Sequence, residues 1–126
     1  MSVRYLLDTD CSIYAMLGTR PGLRARLAEC EPGEVAISAI NFAEITMGEN
    51  LGHPPDREVI EDFVEVVPIL PFDEAAARAY AQLPFKCARF DRLLAAHALS
   101  IGAVIVTNNE ADFADVPGLR VENWSL

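Results

Sequence analysis

Short apolar segments alternate along the chain with segments of helical periodicity. Four apolar runs, each bounded by polar or turn-forming residues, have the length of buried strands: residues 4–7, 35–38, 103–107 and, more weakly, 118–121. A fifth run, 66–70, contains Pro68. Because proline lacks the backbone N–H that a central strand needs, this run is predicted to lie at a sheet edge or to begin a strand.

The segments between the apolar runs have the periodicity and the end residues of helices. Helices are predicted over residues 11–17, 21–30, 39–50, 56–66, 74–83 and 90–102. Gly18 and Gly102 stand in C-terminal positions, and Ser38 and Asp73 stand as N-caps. Helices that alternate with buried strands predict an α/β fold. We expect one domain over residues 1–126, with a mainly parallel central sheet of four or five strands.

Composition narrows the class of protein. The chain has a net charge of −9 and three cysteines without CxxC spacing. This argues against a general basic surface for nucleic acid, a disulfide framework and a zinc site. No apolar run approaches the ~18–20 residues of a membrane-spanning helix, and the N-terminus lacks the form of a signal peptide. We therefore expect a soluble protein of the cytoplasm that makes no membrane contact.

Polar residues that could carry chemistry stand after the predicted strands or in the helices beside them. They are Asp8, Asp10, Glu44, Asp91, Thr107, Asn109 and Asp112. Taken singly, most have an ordinary explanation as helix caps, dipole partners or turn residues. Glu44 differs, because its neighbours are apolar and a lone carboxylate there is costly unless it is paired or binds a metal.

These acids have no matching set of basic residues, and in parallel sheets ligands bind at the carboxyl ends of the strands. One or two hard cations are the natural partners of converging carboxylates. Mg²⁺ or Mn²⁺ held by two or three of them could orient a phosphodiester and activate a water. The chain is therefore predicted to contain an acidic metal site.

Four segments resemble PIN-domain ribonuclease toxins of the VapC type: "LLDTD", "ISAINFAEI", "FDRLLAAHALSIGAVIVTNN" and "ADFADVPGLRVENW". The resemblance extends from Tyr5 to Trp124. It implies a three-layer α/β/α fold, a homodimer and Mg²⁺- or Mn²⁺-dependent cleavage of RNA to 3′-hydroxyl and 5′-phosphate ends. It also implies a cognate antitoxin, in a pair or a larger toxin–antitoxin assembly.

The resemblance assigns roles to individual residues. Asp8, Glu44 and Asp91 match the family's metal-binding acids, and the fourth acidic position falls on Asn109, with Asp112 close by as a substitute or supplement. These five form the expected catalytic set. Two further residues, Asp10 and Thr107, are expected to support the metal ligands rather than to bind the metal directly. Asp10 stands where the family usually has asparagine and could also simply cap the helix.

Basic residues lie on both sides of Asp91, and those before it stand where the family usually has a glycine-rich segment. These residues are Lys86, Arg89 and Arg92. They are expected to contact RNA phosphates, although a solvated basic turn explains them equally well. His97 lies off the helical face of Asp91 and is predicted to be a packed or interface residue rather than a base.

Three other functions fit parts of the pattern. An Asp-nucleophile phosphatase also begins with Asp-x-Asp after a strand, but it needs a lysine beside a later strand end, and the only lysine is Lys86. A phosphoryl-receiver domain needs a mid-chain strand-end aspartate and a lysine after the last strand, and neither is present. A catalytically silent PIN scaffold is favoured by Asn109 and disfavoured by Asp8, Glu44 and Asp91.

Overall fold

The computed structural model describes residues 2–84 and 90–125. Within these ranges the chain forms five strands: β1 (Tyr5–Leu7), β2 (Val35–Ser38), β3 (Ile69–Leu70), β4 (Val104–Val106) and β5 (Val121–Glu122). The helices are α1 (Thr9–Leu17), α2 (Pro21–Glu29), α3 (Ala39–Asn50), α4 (Arg57–Val66), α5 (Glu74–Ala81) and α6 (Phe90–Ile101). A short 3₁₀ turn covers Glu110–Phe113. The predicted alternation of helices and strands is confirmed.

The strands form one sheet in the order β3-β2-β1-β4-β5, and every paired neighbour is parallel. β3 directly follows Pro68 and lies at an edge, as that proline predicted. The chain adds β2 and β3 on one side of β1 and then returns to add β4 and β5 on the other. The gap between the carboxyl ends of β1 and β4 is therefore the topological switch point of the sheet, where ligands bind in open α/β folds.

Helices cover both faces of this sheet, which makes three layers. Alternate strand residues Leu7 and Val106 face a core to which α1, α2, α3 and α4 contribute. Leu6 and Ile105 face the opposite core, which is built largely from the buried alanines and Leu94 of α6. Burial on both sides explains why the central strands are continuous apolar runs. The three-layer α/β/α fold implied by the sequence is confirmed.

Caps begin most of the helices. Ser38 accepts the Ile40 N–H at the start of α3, and Asp73 accepts the Ala76 N–H at the start of α5. Asp8 performs the same role for α1 by accepting the Cys11 N–H. These contacts fix where the helices begin relative to the strand ends, and hence where their first-turn side chains lie.

Two predicted strands have bounds that differ from the structure by more than one residue. The run 66–70 was predicted as a strand, whereas Val66 is the last residue of α4 and β3 covers only Ile69–Leu70. Residues 118–121 were expected to form a buried strand, whereas β5 starts only at Val121 and is half-buried. Gly118 has a φ of 77° and lies in a turn, a conformation that favours glycine and cannot continue a strand. The apolar residues before Val121 therefore belong to a turn region and not to the strand.

Among residues 2–84 and 90–125, none of the helices combines the length and the apolar character needed to cross a membrane.

Candidate active site

Asp8 connects the end of β1 to the start of α1 and lies at the switch point. Its backbone N–H donates to the carbonyl of Val106 at 3.0 Å, which continues the β1–β4 pairing by one residue. Its Oδ1 accepts the Cys11 N–H at 2.8 Å, and its Oδ2 accepts the Thr107 hydroxyl. Asp8 is therefore a helix cap and also part of a polar cluster. Capping of α1 uses only the Oδ1 atom of Asp8 and does not account for the contact of its Oδ2 with Thr107.

Burial raises the pKa of Asp8 above its ordinary value. The hydrogen bonds from Thr107 and Cys11 act in the opposite direction, and the negative charge of Asp10 adds to the increase. Asp10 itself is exposed in the first turn of α1. The extra carboxylate at this position thus makes the surroundings of Asp8 more negative.

Asp91 lies in the first turn of α6 and is half-buried. Its pKa is raised to about 6, first by burial and then by the negative charges of Asp112, Glu44 and Asp8. A hydrogen bond with the carboxyl group of Asp112 raises it further. The structure therefore brings together four of the predicted acids, which come from the junction of β1 and α1, from α3, from α6 and from the 3₁₀ turn.

Glu44 belongs to α3 and reaches the cluster through a threonine. Its Oε1 accepts the hydroxyl of Thr9 at 2.6 Å, and the Thr9 oxygen in turn accepts the side-chain amide of Asn41 at 3.0 Å. No ion pair joins Glu44 to any residue in 2–84 or 90–125. The structural ion pair that its apolar neighbourhood suggested is absent from this part of the chain.

Neither Thr9 nor Asn41 was predicted as a site residue. Asn41 is only 3% exposed, and its Oδ1 has no hydrogen-bond partner among the residues that the structure describes. An unpaired buried acceptor costs about 1–3 kcal/mol, so a contribution to stability does not by itself account for Asn41. Two features could have indicated the pair: Thr9 stands between two acids, and Asn41 precedes Glu44 by three residues on the same helical face.

The segment after β4 completes the cluster. Thr107 is buried, donates its hydroxyl to Asp8 and accepts the Asn109 N–H at 3.0 Å. The side-chain amide of Asn109 donates to Oδ2 of Asp112 at 2.8 Å. Asn109 and Asp112 are therefore neighbours that act as a pair, and Asp112 is the member that contacts Asp91.

The predicted basic residues have a different outcome. Lys86 and Arg89 lie outside the described residues. Arg92 is 4% exposed, and its guanidinium donates to Asp115 at 2.9 Å and to the carbonyl of Pro84 at 3.0 Å. Because α6 directs this side chain inward between those two partners, Arg92 does not fit the phosphate contact expected of it. It instead holds the segment after Asp112 against the start of α6.

His97 is buried, as expected of a packed residue. Its Nδ1 lies 2.8 Å from the Ser38 hydroxyl, and its ring meets Phe72 edge to face at 5.6 Å. Burial lowers its pKa, and the charge of Asp73 partly offsets this. The side chain connects α6 with the cap of α3.

The donor set fits a hard divalent cation in its chemistry. It consists of carboxylate oxygens that repel one another, and a hydrogen bond between Asp91 and Asp112 requires a proton on one of them. A cation could replace that proton. Within residues 2–84 and 90–125, however, no three His, Cys, Asp or Glu side chains are arranged to hold an ion in their present positions.

Comparison with known proteins supports the same identification. A family model described as PIN domain matches residues 5–119. A tRNA(fMet)-specific endonuclease VapC of Shigella flexneri is 35% identical over 132 residues, covering 98% of this chain and 99% of that protein. Ribonuclease VapC2 of Haemophilus influenzae strain Rd is 30% identical over 131 residues, covering 97% of this chain and 98% of that protein.

Solved structures show the same similarity. DNA-bound VapBC from Salmonella typhimurium has a TM-score of 0.84 at 29% identity, covering 97% of this chain and 98% of that one. VapBC2 from Rickettsia felis, bound to a promoter DNA fragment, has a TM-score of 0.81 at 27% identity, covering 98% and 99%. The chain belongs to the PIN-domain family, as one of its VapC-type ribonuclease toxins.

Proposed function

We propose that this chain cleaves RNA endonucleolytically in the cytoplasm and that the reaction depends on Mg²⁺ or Mn²⁺. One observation carries the proposal: three other carboxylates, with burial, raise the pKa of Asp91 to about 6. Three carboxylates gathered around a half-buried fourth, with no ion pair to any of the four within residues 2–84 and 90–125, favour a divalent cation as their partner. Relatives at 30–35% identity over almost the whole chain are named as a tRNA(fMet)-specific endonuclease and a ribonuclease.

The proposal gives each residue a task. Asp8, Asp91 and Glu44 would hold the ion, and Asp112 would complete the negative face, with Asn109 donating to it. Thr107 orients the Oδ2 atom of Asp8 through its hydroxyl. Asp10 adds negative charge near Asp8. Lys86 and Arg89 remain proposed phosphate contacts on the basis of their position before Asp91.

When bound, a divalent cation would lower the pKa of a water molecule and stabilise the charge that develops on the phosphodiester. The protein's own contribution is orientation, because hydrogen bonds from Thr9, Thr107 and the Cys11 N–H fix three carboxylate oxygens before any substrate arrives. The resemblance to PIN-domain ribonuclease toxins implies that this hydrolysis leaves 3′-hydroxyl and 5′-phosphate ends.

The proposed substrate and partners are based on what the relatives and similar structures are named for. Two relatives are named as tRNA(fMet)-specific endonucleases, so initiator tRNA is the first substrate to test. Several similar structures are VapBC complexes, and we propose a cognate antitoxin for this chain as well. The acidic net charge of −9 suits a partner with a basic segment. A homodimer is proposed as the toxin unit.

The test uses the purified full chain with initiator and elongator tRNA. Cleavage with Mg²⁺ or Mn²⁺, its loss on addition of EDTA and its recovery on return of the ion are the expected results, with 5′-phosphate at the new ends. Cleavage that survives EDTA would refute metal dependence. Uncleaved RNA under every condition, with a folded protein that still binds RNA, would favour the silent scaffold that Asn109 alone suggested.

A further inference from the structure

Two threonine hydroxyls contact the carboxylates of the site in the same way. Thr107 accepts the Asn109 N–H and donates to Asp8. Thr9 accepts the side-chain amide of Asn41 at 3.0 Å and donates to Glu44 at 2.6 Å. A hydroxyl has one proton, so a hydroxyl that donates to a carboxylate must use a lone pair toward its other neighbour. The Asn41 amide, which can only donate through its nitrogen, enforces this direction.

We infer that Asn41 and Thr9 are positioning residues that fix the orientation of Glu44. The chain of hydrogen bonds runs from the Asn41 amide through the Thr9 hydroxyl to Oε1 of Glu44, and it leaves the other carboxylate oxygen available to an ion. The inference rests on the proposed function, in which Glu44 is a metal ligand.

The placement of the two residues supports this role. Thr9 is the first residue of α1, directly after Asp8, whereas Asn41 and Glu44 lie one turn apart on α3. The hydroxyl therefore joins the two helices at the point where both enter the site. Asn41 is buried and donates to Thr9, while its Oδ1 contacts no donor in the described ranges. Its donated hydrogen bond to Thr9 is the contact that accounts for an amide at this position.

The orientation of Glu44 matters to the rest of the cluster. Its negative charge is one of those that raise the pKa of Asp91, so the two carboxylates lie within electrostatic reach of each other. A glutamate side chain has three rotatable bonds and would otherwise sample several positions. A hydrogen bond that selects one position reduces the entropy that is lost when an ion binds.

The experiment compares Thr9→Val with Thr9→Ser. Valine keeps the branched shape and removes the hydroxyl, whereas serine keeps the hydroxyl. Binding of Mn²⁺ to the purified full chain is measured by EPR titration, and initiator tRNA cleavage is measured in parallel. Thr9→Val is expected to weaken Mn²⁺ binding about 10-fold or more, the usual effect of losing a group that orients a ligand. Thr9→Ser is expected to stay within about threefold of the unmodified chain, on the same principle.

Thr46→Val is the matched control. Thr46 lies on α3 like Glu44, but its hydroxyl donates to the carbonyls of Phe42 and Ala43 within its own helix. Its loss is expected to leave Mn²⁺ affinity and cleavage unchanged. Asn41→Ala should weaken Mn²⁺ binding as Thr9→Val does, and the double variant should be no worse than Thr9→Val alone, because both changes break one chain of hydrogen bonds.

The outcomes separate this inference from the proposed function. Equal Mn²⁺ affinity of folded Thr9→Val and Thr9→Ser would overturn the inference and leave the metal site standing. Absence of Mn²⁺ binding and cleavage in the unmodified chain would overturn both. Should Thr9→Val not fold, Thr9→Ala decides the question instead, because Thr9 is half-buried at a helix start and its truncation removes atoms without adding any.

Discussion

Asp91 and Asp112 are joined by a hydrogen bond between their carboxyl groups, and this contact contributes to the raised pKa of Asp91. The two residues come from different elements, the first turn of α6 and the 3₁₀ turn after β4. Their contact needs a proton at low pH and is repulsive once both groups are ionised. At neutral pH the two carboxylates therefore repel each other, and a proton or a cation between them would relieve that repulsion.

The stability of the metal-free chain should depend on this pair. The pKa of Asp91 is raised from 3.8 to about 6, so the folded state binds the proton more tightly than the unfolded state does. Protonation at Asp91 therefore stabilises the fold below about pH 4, and this contribution is lost as the pH rises through 6. After allowance for solvent screening of a half-exposed group, the loss is about 1 kcal/mol.

Urea denaturation in EDTA from about pH 4 to pH 7 measures this effect through the difference between the unmodified chain and Asp91→Asn. The free energy of unfolding of the unmodified chain should fall relative to that of the variant as the pH rises. Asp62→Asn, which alters an exposed carboxylate on α4, serves as the control. A difference that stays constant with pH would show that Asp91 is not perturbed in the folded protein.

Removal of the Thr107 hydroxyl should impair the site without unfolding it. In Thr107→Val, Asp8 keeps the Cys11 N–H and loses the hydrogen bond that lowers its pKa. The pH at which cleavage reaches half its maximum should move upward, and cleavage near neutral pH should fall about 10- to 100-fold. Thr107→Ser should restore both quantities. An unchanged pH profile in Thr107→Val would argue that this hydrogen bond has no part in the chemistry.

Arg92 should matter for stability rather than for RNA binding. Arg92→Met keeps much of the buried stem but removes the contacts with Asp115 and the Pro84 carbonyl, so it should lower the free energy of unfolding by about 2–3 kcal/mol. Arg78→Met breaks an exposed pair with Glu74 and should change it by less than about 1 kcal/mol. Both variants should bind RNA as the unmodified chain does. If Arg92→Met had normal stability but bound RNA more weakly, this would support the phosphate contact that the sequence predicted for Arg92.

The fold could be predicted where its signals are local. β1, β2 and β4 are continuous apolar runs because both faces of the central sheet are covered, and the caps Ser38 and Asp73 act within a few residues of themselves. The resemblance to PIN domains singled out Asp8, Glu44 and Asp91, and the charges of the first two act on the third in the structure. Their role as metal ligands stays a prediction. Turn geometry at Gly118 was not visible in the apolar pattern.

Other parts of the site depend on contacts between distant residues. Thr107 meets Asp8 across 99 positions, and Thr9 meets Asn41 across 32. Isolated polar residues show no periodic pattern along the sequence from which such contacts could be predicted. Arg92 was misjudged for the same reason, since its partner Asp115 lies 23 positions away and turns an apparent surface cation into a buried one.

The most direct test of metal-dependent cleavage by the carboxylate cluster uses the variants Asp91→Asn and Asp62→Asn. For each, the rate of initiator tRNA cleavage is measured as a function of Mn²⁺ concentration. The account predicts that Asp62→Asn matches the unmodified chain in rate and in half-saturating Mn²⁺, while Asp91→Asn cleaves at least ~100-fold more slowly at every concentration. Cleavage by Asp91→Asn at the rate of the unmodified chain would contradict the account.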